Sequence, residues 1–119
     1  MRRTLPAGIR GRVKGWLNLN GRFLMGPRYV LLLEGIERTG TIRGACQGTG
    51  LSYRTSLNRI RQMERVLKAR LVVTSRGGES RGRAELTPLA RRLIRLYRSW
   101  REALEQGSDR AFARLRRAK

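Results

Sequence analysis

Histidine is absent from this sequence, and cysteine occurs once, at Cys46. Without histidine the chain lacks the commonest general base and a common metal ligand. A single cysteine cannot close an intramolecular disulfide, which is typical of a protein from the reducing cytosol and fits a small buried residue better than a nucleophile. The few carboxylates are dispersed and offer neither a catalytic pair nor a zinc-type ligand set. The sequence therefore predicts no enzymatic activity, no metal site and no cofactor.

Long apolar runs are missing as well. The block at residues 29–33 is far shorter than a membrane span. The basic start at Arg2 and Arg3 is not followed by the apolar core of a signal peptide. We therefore expect a cytoplasmic, nucleoid-associated protein with no membrane-spanning segment.

Acidic residues are scarce: 8 Asp and Glu stand against 28 Lys and Arg, which gives a formal net charge of +20. Arginine dominates, since lysine occurs only at Lys14, Lys68 and Lys119. Genome composition or heat adaptation explains a preference for arginine as well as nucleic-acid recognition does, but neither of them explains the shortage of acids. Such a charge attracts polyanions, so DNA, RNA, a ribosome or an anionic membrane surface would each satisfy it.

The chain divides into three predicted segments. Residues 1–15 carry basic side chains among Gly and Pro without apolar periodicity, which indicates a flexible basic arm. Residues 16–106 hold the apolar blocks and suffice for one small core. Residues 107–119 form a basic C-terminal tail, because Gly107 and Ser108 are expected to end the last helix.

The predicted domain opens with residues 16–20, which alternate like a short strand, before the turn signal Asn20-Gly21. Within residues 28–38, the block at residues 29–36 is apolar nearly all round, as in a buried helix. A short helix over residues 41–47, a glycine turn and a longer basic helix over residues 52–70 follow, with Thr41 and Ser52 as N-caps. This is the order of a helix-turn-helix.

The third predicted helix has an apolar stripe at helical spacing and an opposite face that is basic and hydrogen-bonding. Such a face is usually only solvated, but this one directly follows the turn and the cap, which favours docking in the major groove. Arg54 can pair with guanine and Asn58 with adenine, whereas Arg61 and Arg65 suit phosphates. The apolar stripe is Ser56, Ile60, Met63 and Leu67, and the candidate DNA-binding residues are Ser52, Tyr53, Arg54, Thr55, Asn58, Arg59, Arg61 and Arg65.

A hairpin and a long helix complete the pattern. Residues 71–75 and 83–87 predict two strands joined by a glycine- and arginine-containing loop. The candidate DNA-binding residues of this hairpin, the wing, are Arg76, Arg81 and Arg83. Pro88 opens the last helix behind a Thr87 cap. That helix carries a stripe longer than a small domain needs, which favours a homodimer. The stripe residues assigned to the dimer interface are Leu93, Leu96, Tyr97, Trp100 and Leu104.

Several motifs along residues 17–100 match one family. They are Gly26-Pro27-Arg28, Leu31-Leu32-Leu33-Glu34-Gly35-Ile36, Thr39-Gly40-Thr41-Ile42, Gly50-Leu51-Ser52-Tyr53-Arg54-Thr55-Ser56, Arg76-Gly77-Gly78 and Leu86-Thr87. This stretch resembles the N-terminal winged-helix DNA-binding domain of the molybdate-responsive (ModE-type) transcriptional regulators, which are related to the LysR type. The predicted fold is accordingly mainly α (α+β), a winged helix-turn-helix with a two-stranded wing and a long C-terminal dimerisation helix.

The resemblance implies that residues 52–55 and Asn58 face the major groove, and that the first and last helices pair in a homodimer, which adds Leu32 to the interface. Leu57 stands where the family usually has tryptophan, so its base preference is not expected to transfer. The family's molybdate-binding domains follow the last helix, whereas this chain ends at Lys119. We therefore expect no molybdate response and no small-molecule effector site.

The sequence thus favours a homodimeric protein that binds duplex DNA with some sequence preference and regulates transcription. A small chromosomal architectural protein that coats DNA is the main alternative, favoured by the net charge. An RNA- or ribosome-associated basic protein is a further alternative, because winged helices and basic tails also occur in proteins that bind RNA or ribosomes.

Overall fold

A computed structural model describes residues 3–75 and 82–118. The chain is an α+β protein with two antiparallel two-stranded sheets, as the coarse fold class predicted. The helices are α1 (Pro27–Thr39), α2 (Ile42–Thr49), α3 (Tyr53–Leu67) and α4 (Pro88–Arg117), and the strands are β1 (Leu17–Leu19), β2 (Arg22–Met25), β3 (Val72–Thr74) and β4 (Ala84–Leu86). No helix within the described residues is both long enough and apolar enough to cross a bilayer.

The first hairpin forms because its turn accepts positive φ at two successive residues. Asn20 has φ 51° and Gly21 has φ 80°, the combination that a two-residue type I′ turn requires. The sequence predicted the turn and the first strand, and the structure pairs that strand with the apolar patch that follows. Leu24 and Met25 of β2 are buried, so the hairpin closes one side of the core.

Among the described residues, hydroxyl side chains begin three of the four helices, as predicted. The Oγ1 or Oγ atoms of Thr41, Ser52 and Thr87 accept hydrogen bonds from the backbone N–H three residues on, at 2.8, 3.1 and 3.2 Å. Each cap satisfies one of the N–H groups that a helix start leaves without a partner. The start of α3, which carries the candidate DNA-binding residues, is therefore fixed by its own sequence.

The end of α3 differs from the prediction, which extended the helix to about Arg70. The helix stops at Leu67, because Lys68 adopts a left-handed conformation with φ 55°. The Glu64 carboxylate accepts hydrogen bonds from the backbone N–H groups of Leu71 and Val72, at 2.8 and 3.2 Å. This side chain therefore turns the backbone out of the helix and into β3.

The end of α4 also corrects the prediction, since Gly107 and Ser108 do not stop the helix. It continues to Arg117, across the predicted boundary of the C-terminal tail. An interior glycine costs only about 1 kcal/mol relative to alanine, which tertiary contacts can offset. Such a contact exists, because the Phe112 ring packs against the backbone of Gly11 in the N-terminal segment.

The core lies where the helices and both hairpins meet. Leu33 of α1 and Met63 of α3 are completely buried. Leu32 and Tyr97, which were assigned to a dimer interface, are also completely buried within the single chain. Their side chains are therefore core residues of the subunit. Gly35 allows the close approach of α1 and α2, since a Cβ there would lie 2.9 Å from the Cβ of Ala45.

The second hairpin is attached to the helices by its backbone. Strand β3 pairs with β4 in the register Val72↔Leu86. The N–H of Ala84 donates to the carbonyl of Gly40 at 2.8 Å, and Arg83 forms a β-bridge with Thr41. The base of the hairpin is therefore joined to the connection between α1 and α2.

The N-terminal segment, described from residue 3, runs along α4. The Tyr97 hydroxyl donates to the carbonyl of Gly15 at 3.0 Å, and Arg116 donates to the carbonyl of Pro6 at 2.6 Å. Between these points, Gly11 lies against Phe112. The segment thus follows α4 in the opposite direction, as far as the last turns of that helix.

Candidate nucleic-acid interface

Helix α3 presents one face to solvent, and we name it the α3 face. Its opposite side buries Ser56, Ile60 and Met63 in the core, as the helical spacing predicted. The α3 face consists of exposed residues that donate hydrogen bonds or carry positive charge: Tyr53, Arg54, Asn58, Arg61 and Arg65. Burial of the opposite side fixes the rotation of the helix, so these side chains point outward together.

Arg43 of α2 joins the α3 face from the side. Its guanidinium carbon lies 4.6 Å from the centre of the Tyr53 ring, within the range of a cation–π contact. Arg43 is not among the residues predicted from the sequence, although inward positions at Ile42 and Ala45 imply that it points outward. Its contact with a ring ten residues away depends on how α2 crosses α3, which periodicity does not reveal.

A groove of about 680 Å³ separates the α3 face from the second hairpin. Arg83 is exposed at the base of that hairpin, and the bridge to Thr41 holds it beside the start of α2. The lining residues are Thr41, Ile42, Arg43, Tyr53, Leu57, Arg61, Thr74, Ser75 and Gly82. One side of the molecule thus combines a helix face, a groove and a hairpin.

Three predicted residues do not lie on the α3 face. The Ser52 hydroxyl is engaged by the backbone N–H and the hydroxyl of Thr55, at 3.1 and 3.0 Å, so both side chains hold the helix start. Arg59 is half-buried and turns towards α1, where its guanidinium carbon lies 4.9 Å from the centre of the Tyr29 ring. Two hairpin residues, Arg76 and Arg81, lie outside the described residues.

Several acidic side chains among the described residues are engaged by partners outside the α3 face. Glu34 and Glu37 of α1 pair with Arg98 and Arg91 of α4, at 2.5 and 3.4 Å. Glu64, near the end of α3, is occupied by the backbone and by Arg70 at 3.4 Å. Across residues 3–75 and 82–118, the salt bridges involve none of the α3-face arginines, nor Arg43 or Arg83. Within the described part of the chain, no salt bridge therefore neutralises these guanidinium groups.

The residues assigned to dimerisation are divided by the structure. Leu96 of α4 is 58% exposed, and Leu93, Trp100 and Leu104 are half-buried. Trp100 also serves its own subunit, because its ring packs against Gly15 and lies edge-on to Tyr97 with centroids 6.0 Å apart. An outward apolar strip centred on Leu96 therefore remains on α4.

Sequence comparison connects this arrangement to known proteins, although no protein-family model matches the chain. Over 81 residues, 68% of the chain, it is 36% identical to the transcriptional regulator ModE of Yersinia pestis. The chain is a relative of the ModE-type regulators. The DNA-binding transcriptional dual regulator ModE of Escherichia coli K12 is 32% identical over 96 residues, or 81% of the chain. The molybdenum-pterin-binding protein MopB of Rhodobacter capsulatus is 40% identical over 73 residues, or 61% of the chain.

These ModE and Mop proteins are much longer than the region they share with this chain. The chain spans 31% of the Yersinia ModE, 35% of the Escherichia ModE and 27% of MopB. The resemblance to ModE-type regulators, which was predicted from the sequence motifs, is therefore confirmed at the level of the family.

Proposed function

We propose that the chain is a winged helix-turn-helix protein that binds duplex DNA, with α3 in the major groove and the second hairpin as the wing. The observation that carries this proposal is the α3 face, on which arginines that make no salt bridge within the described residues flank Asn58 on one capped, rotationally fixed helix. A helix of this kind fits the major groove, where its N-terminal residues reach base edges.

The interface divides naturally between base reading and phosphate binding. Arg54 and Asn58 lie in the first turns of α3 and can make bidentate hydrogen bonds to guanine and adenine, respectively. Arg61 and Arg65 lie further along the helix and suit the phosphate backbone. Arg83, at the base of the hairpin, suits phosphates that flank the groove.

We further propose that this binding regulates transcription. Two of the relatives are named transcriptional regulators, and one of these is named as DNA-binding. The presence of base-reading groups in the first turns of α3 favours a sequence-preferring regulator over an architectural protein, which needs only charge.

Replacing Arg54 by alanine tests base reading. We expect Arg54→Ala to lose about 1–3 kcal/mol of binding free energy on a preferred site and little on random duplex. Arg83→Ala is the matched control, because it removes the same charge from the hairpin. It should weaken both duplexes equally and reduce the salt slope by roughly one unit. Fluorescence anisotropy with a selected and a scrambled duplex measures both effects.

Equal losses on the selected and scrambled duplexes for both variants would mean that no base is read. The architectural alternative would then replace the regulator. Preference for structured RNA over duplex DNA in the same competition would instead support the RNA-binding alternative.

A homodimer is the proposed assembly, formed through the exposed strip of α4 centred on Leu96. Leu96→Asp should yield a folded monomer, because a carboxylate in an apolar interface loses its hydration without gaining a partner. Val73→Asp is a suitable control, since Val73 is also exposed but lies on the hairpin. Sedimentation at several concentrations measures the assembly. A wild-type chain that remains monomeric at high micromolar concentration would contradict the dimer.

A further inference from the structure

We propose that the far end of α4 carries a second duplex-binding surface, so that one molecule can hold a second segment of DNA. This inference rests on the proposed function, since it assumes that the α3 face holds the first duplex. We name the second surface the distal surface and define it by the exposed residues Arg110, Arg114 and Arg117.

The distal surface is a single row of charge. Its residues are spaced by four and three positions, which places them on one face of a helix. A basic residue in the last helical turn is commonly explained by the helix dipole. That explanation does not extend to Arg110, which lies two turns before the end of α4. Stabilisation of the helix end therefore does not explain the whole row of basic residues.

Nearby acids do not neutralise this row. Glu105 and Asp109 line a depression with Arg10 and Arg12 of the N-terminal segment, so they face that segment. Glu105 is also within 3.7 Å of Arg101. Because Asp109 is offset by about 100° from Arg110 around the helix, the distal surface stays uniformly positive. Its charge is complementary to a phosphate backbone.

The N-terminal segment keeps this part of α4 in place. A Cβ at Gly15 would lie 2.5 Å from the Trp100 ring, and one at Gly11 would lie 3.0 Å from the Phe112 ring. Glycine at both positions lets the two rings lie against the backbone. With the hydrogen bond from Arg116 to Pro6, these contacts order a helix end that projects past the core. The distal surface is therefore preorganised, which lowers the entropic cost of binding.

The position of α4 favours a second duplex over an extended contact with the first. Helix α1 contacts α3 through the Tyr29 hydroxyl and Gln62, and it contacts α4 through Glu34 and Arg98. Thus α1 lies between the α3 face and α4. The thirty residues of α4 also extend over about 45 Å. A duplex docked on α3 is separated from the distal surface by the body of the protein.

A capture experiment tests the inference on the full chain. A duplex fixed to beads binds the protein, and a free fluorescent duplex is then added. We expect the wild type to retain the second duplex, and Arg110→Ala with Arg114→Ala to reduce that capture roughly tenfold or more. Alanine preserves the helix. The matched control, Arg92→Ala with Arg95→Ala, removes two exposed charges from the same helix and should capture like the wild type.

Each other outcome overturns the inference in a distinguishable way. If the distal double variant captures as well as the wild type, or if both double variants lose capture equally, the distal surface has no specific role. If the distal variant weakens binding to the bead-bound duplex as much as it weakens capture, the surface contacts the first duplex instead. If the wild type binds the first duplex without capturing a second, only the inference fails. If the wild type binds no duplex at all, the proposed function fails with it.

Discussion

Raising the salt concentration from about 50 to about 200 mM is expected to weaken duplex binding about a thousandfold. Each arginine that neutralises a phosphate releases a condensed counterion, and this release becomes less favourable as salt rises. Six phosphate contacts predict a slope of roughly −5 in a plot of log affinity against log salt. The described interface supplies exposed guanidinium groups on α3, on α2 and at the base of the hairpin. Arg76 and Arg81, which are also predicted to bind phosphates, lie outside the described residues.

Binding titrations at several salt concentrations measure this slope. One double variant tests which arginines contribute to it. Arg61→Ala with Arg65→Ala should make the slope shallower by about two units, because both residues are assigned to phosphates. The control is Arg92→Ala with Arg95→Ala, which removes equal charge from α4. A slope near zero for the wild type would rule out both the regulatory and the architectural forms of DNA binding.

Replacing Tyr97 by alanine is expected to lower the free energy of unfolding by about 3–5 kcal/mol. Its side chain is completely buried, so the substitution leaves a cavity where α4 meets the core. Tyr97→Phe is the conservative comparison, because it removes only the hydrogen bond to the Gly15 carbonyl. That loss should cost roughly 1 kcal/mol. Urea unfolding of both variants measures the two losses.

Comparison of the wild type with Tyr97→Phe also tests how stability depends on pH. Burial raises the pKa of Tyr97 above its ordinary value of 10.0, while Arg101 lowers it and Glu105 raises it. The folded protein therefore holds the phenol proton more tightly than the unfolded chain. The stability from this group is complete below pH 10.0 and falls as the pH rises through the folded pKa. The advantage of wild type over Tyr97→Phe should shrink in that range.

These stabilities also separate a core role for Tyr97 from the interface role first assigned to it. Substitution of a core residue destabilises the subunit by the same amount at every protein concentration. An interface residue would make the midpoint of unfolding depend on concentration. A concentration-dependent loss for Tyr97→Ala, with the monomer unaffected, would contradict its placement in the core.

Local signals explain why much of the helical frame was predictable. Thr41, Ser52 and Thr87 carry short hydroxyl side chains, which favour the residue just before a helix, and the structure uses each of them as a cap. The Asn20-Gly21 turn is similarly local, because it depends on the backbone freedom of those two residues. The outward face of α3 followed from the apolar spacing of its buried side.

The errors arose where distant parts of the chain decide the outcome. Gly107 looks like a helix stop, but the helix continues, and Phe112 packs against Gly11 in a segment far earlier in the sequence. Tyr97 lies on a helical stripe that looked like an interface, but it is completely buried within the subunit, where its hydroxyl donates to the Gly15 carbonyl of the N-terminal segment. Arg59 has the right residue type for DNA, yet its rotation and the nearby Tyr29 ring turn it aside.

The attachment of the second hairpin to the connection between α1 and α2 has a consequence for the choice of nucleic acid. The hydrogen bond from Ala84 to Gly40 and the bridge at Thr41 hold the base of the hairpin at a set distance from α3. We expect this attachment to make nucleic-acid binding depend on the width of the groove as well as on its charge. The wide major groove of B-form DNA admits a helix, whereas the deep, narrow major groove of A-form RNA does not. A rigid frame of this kind would discriminate between the two helical forms before any base is read.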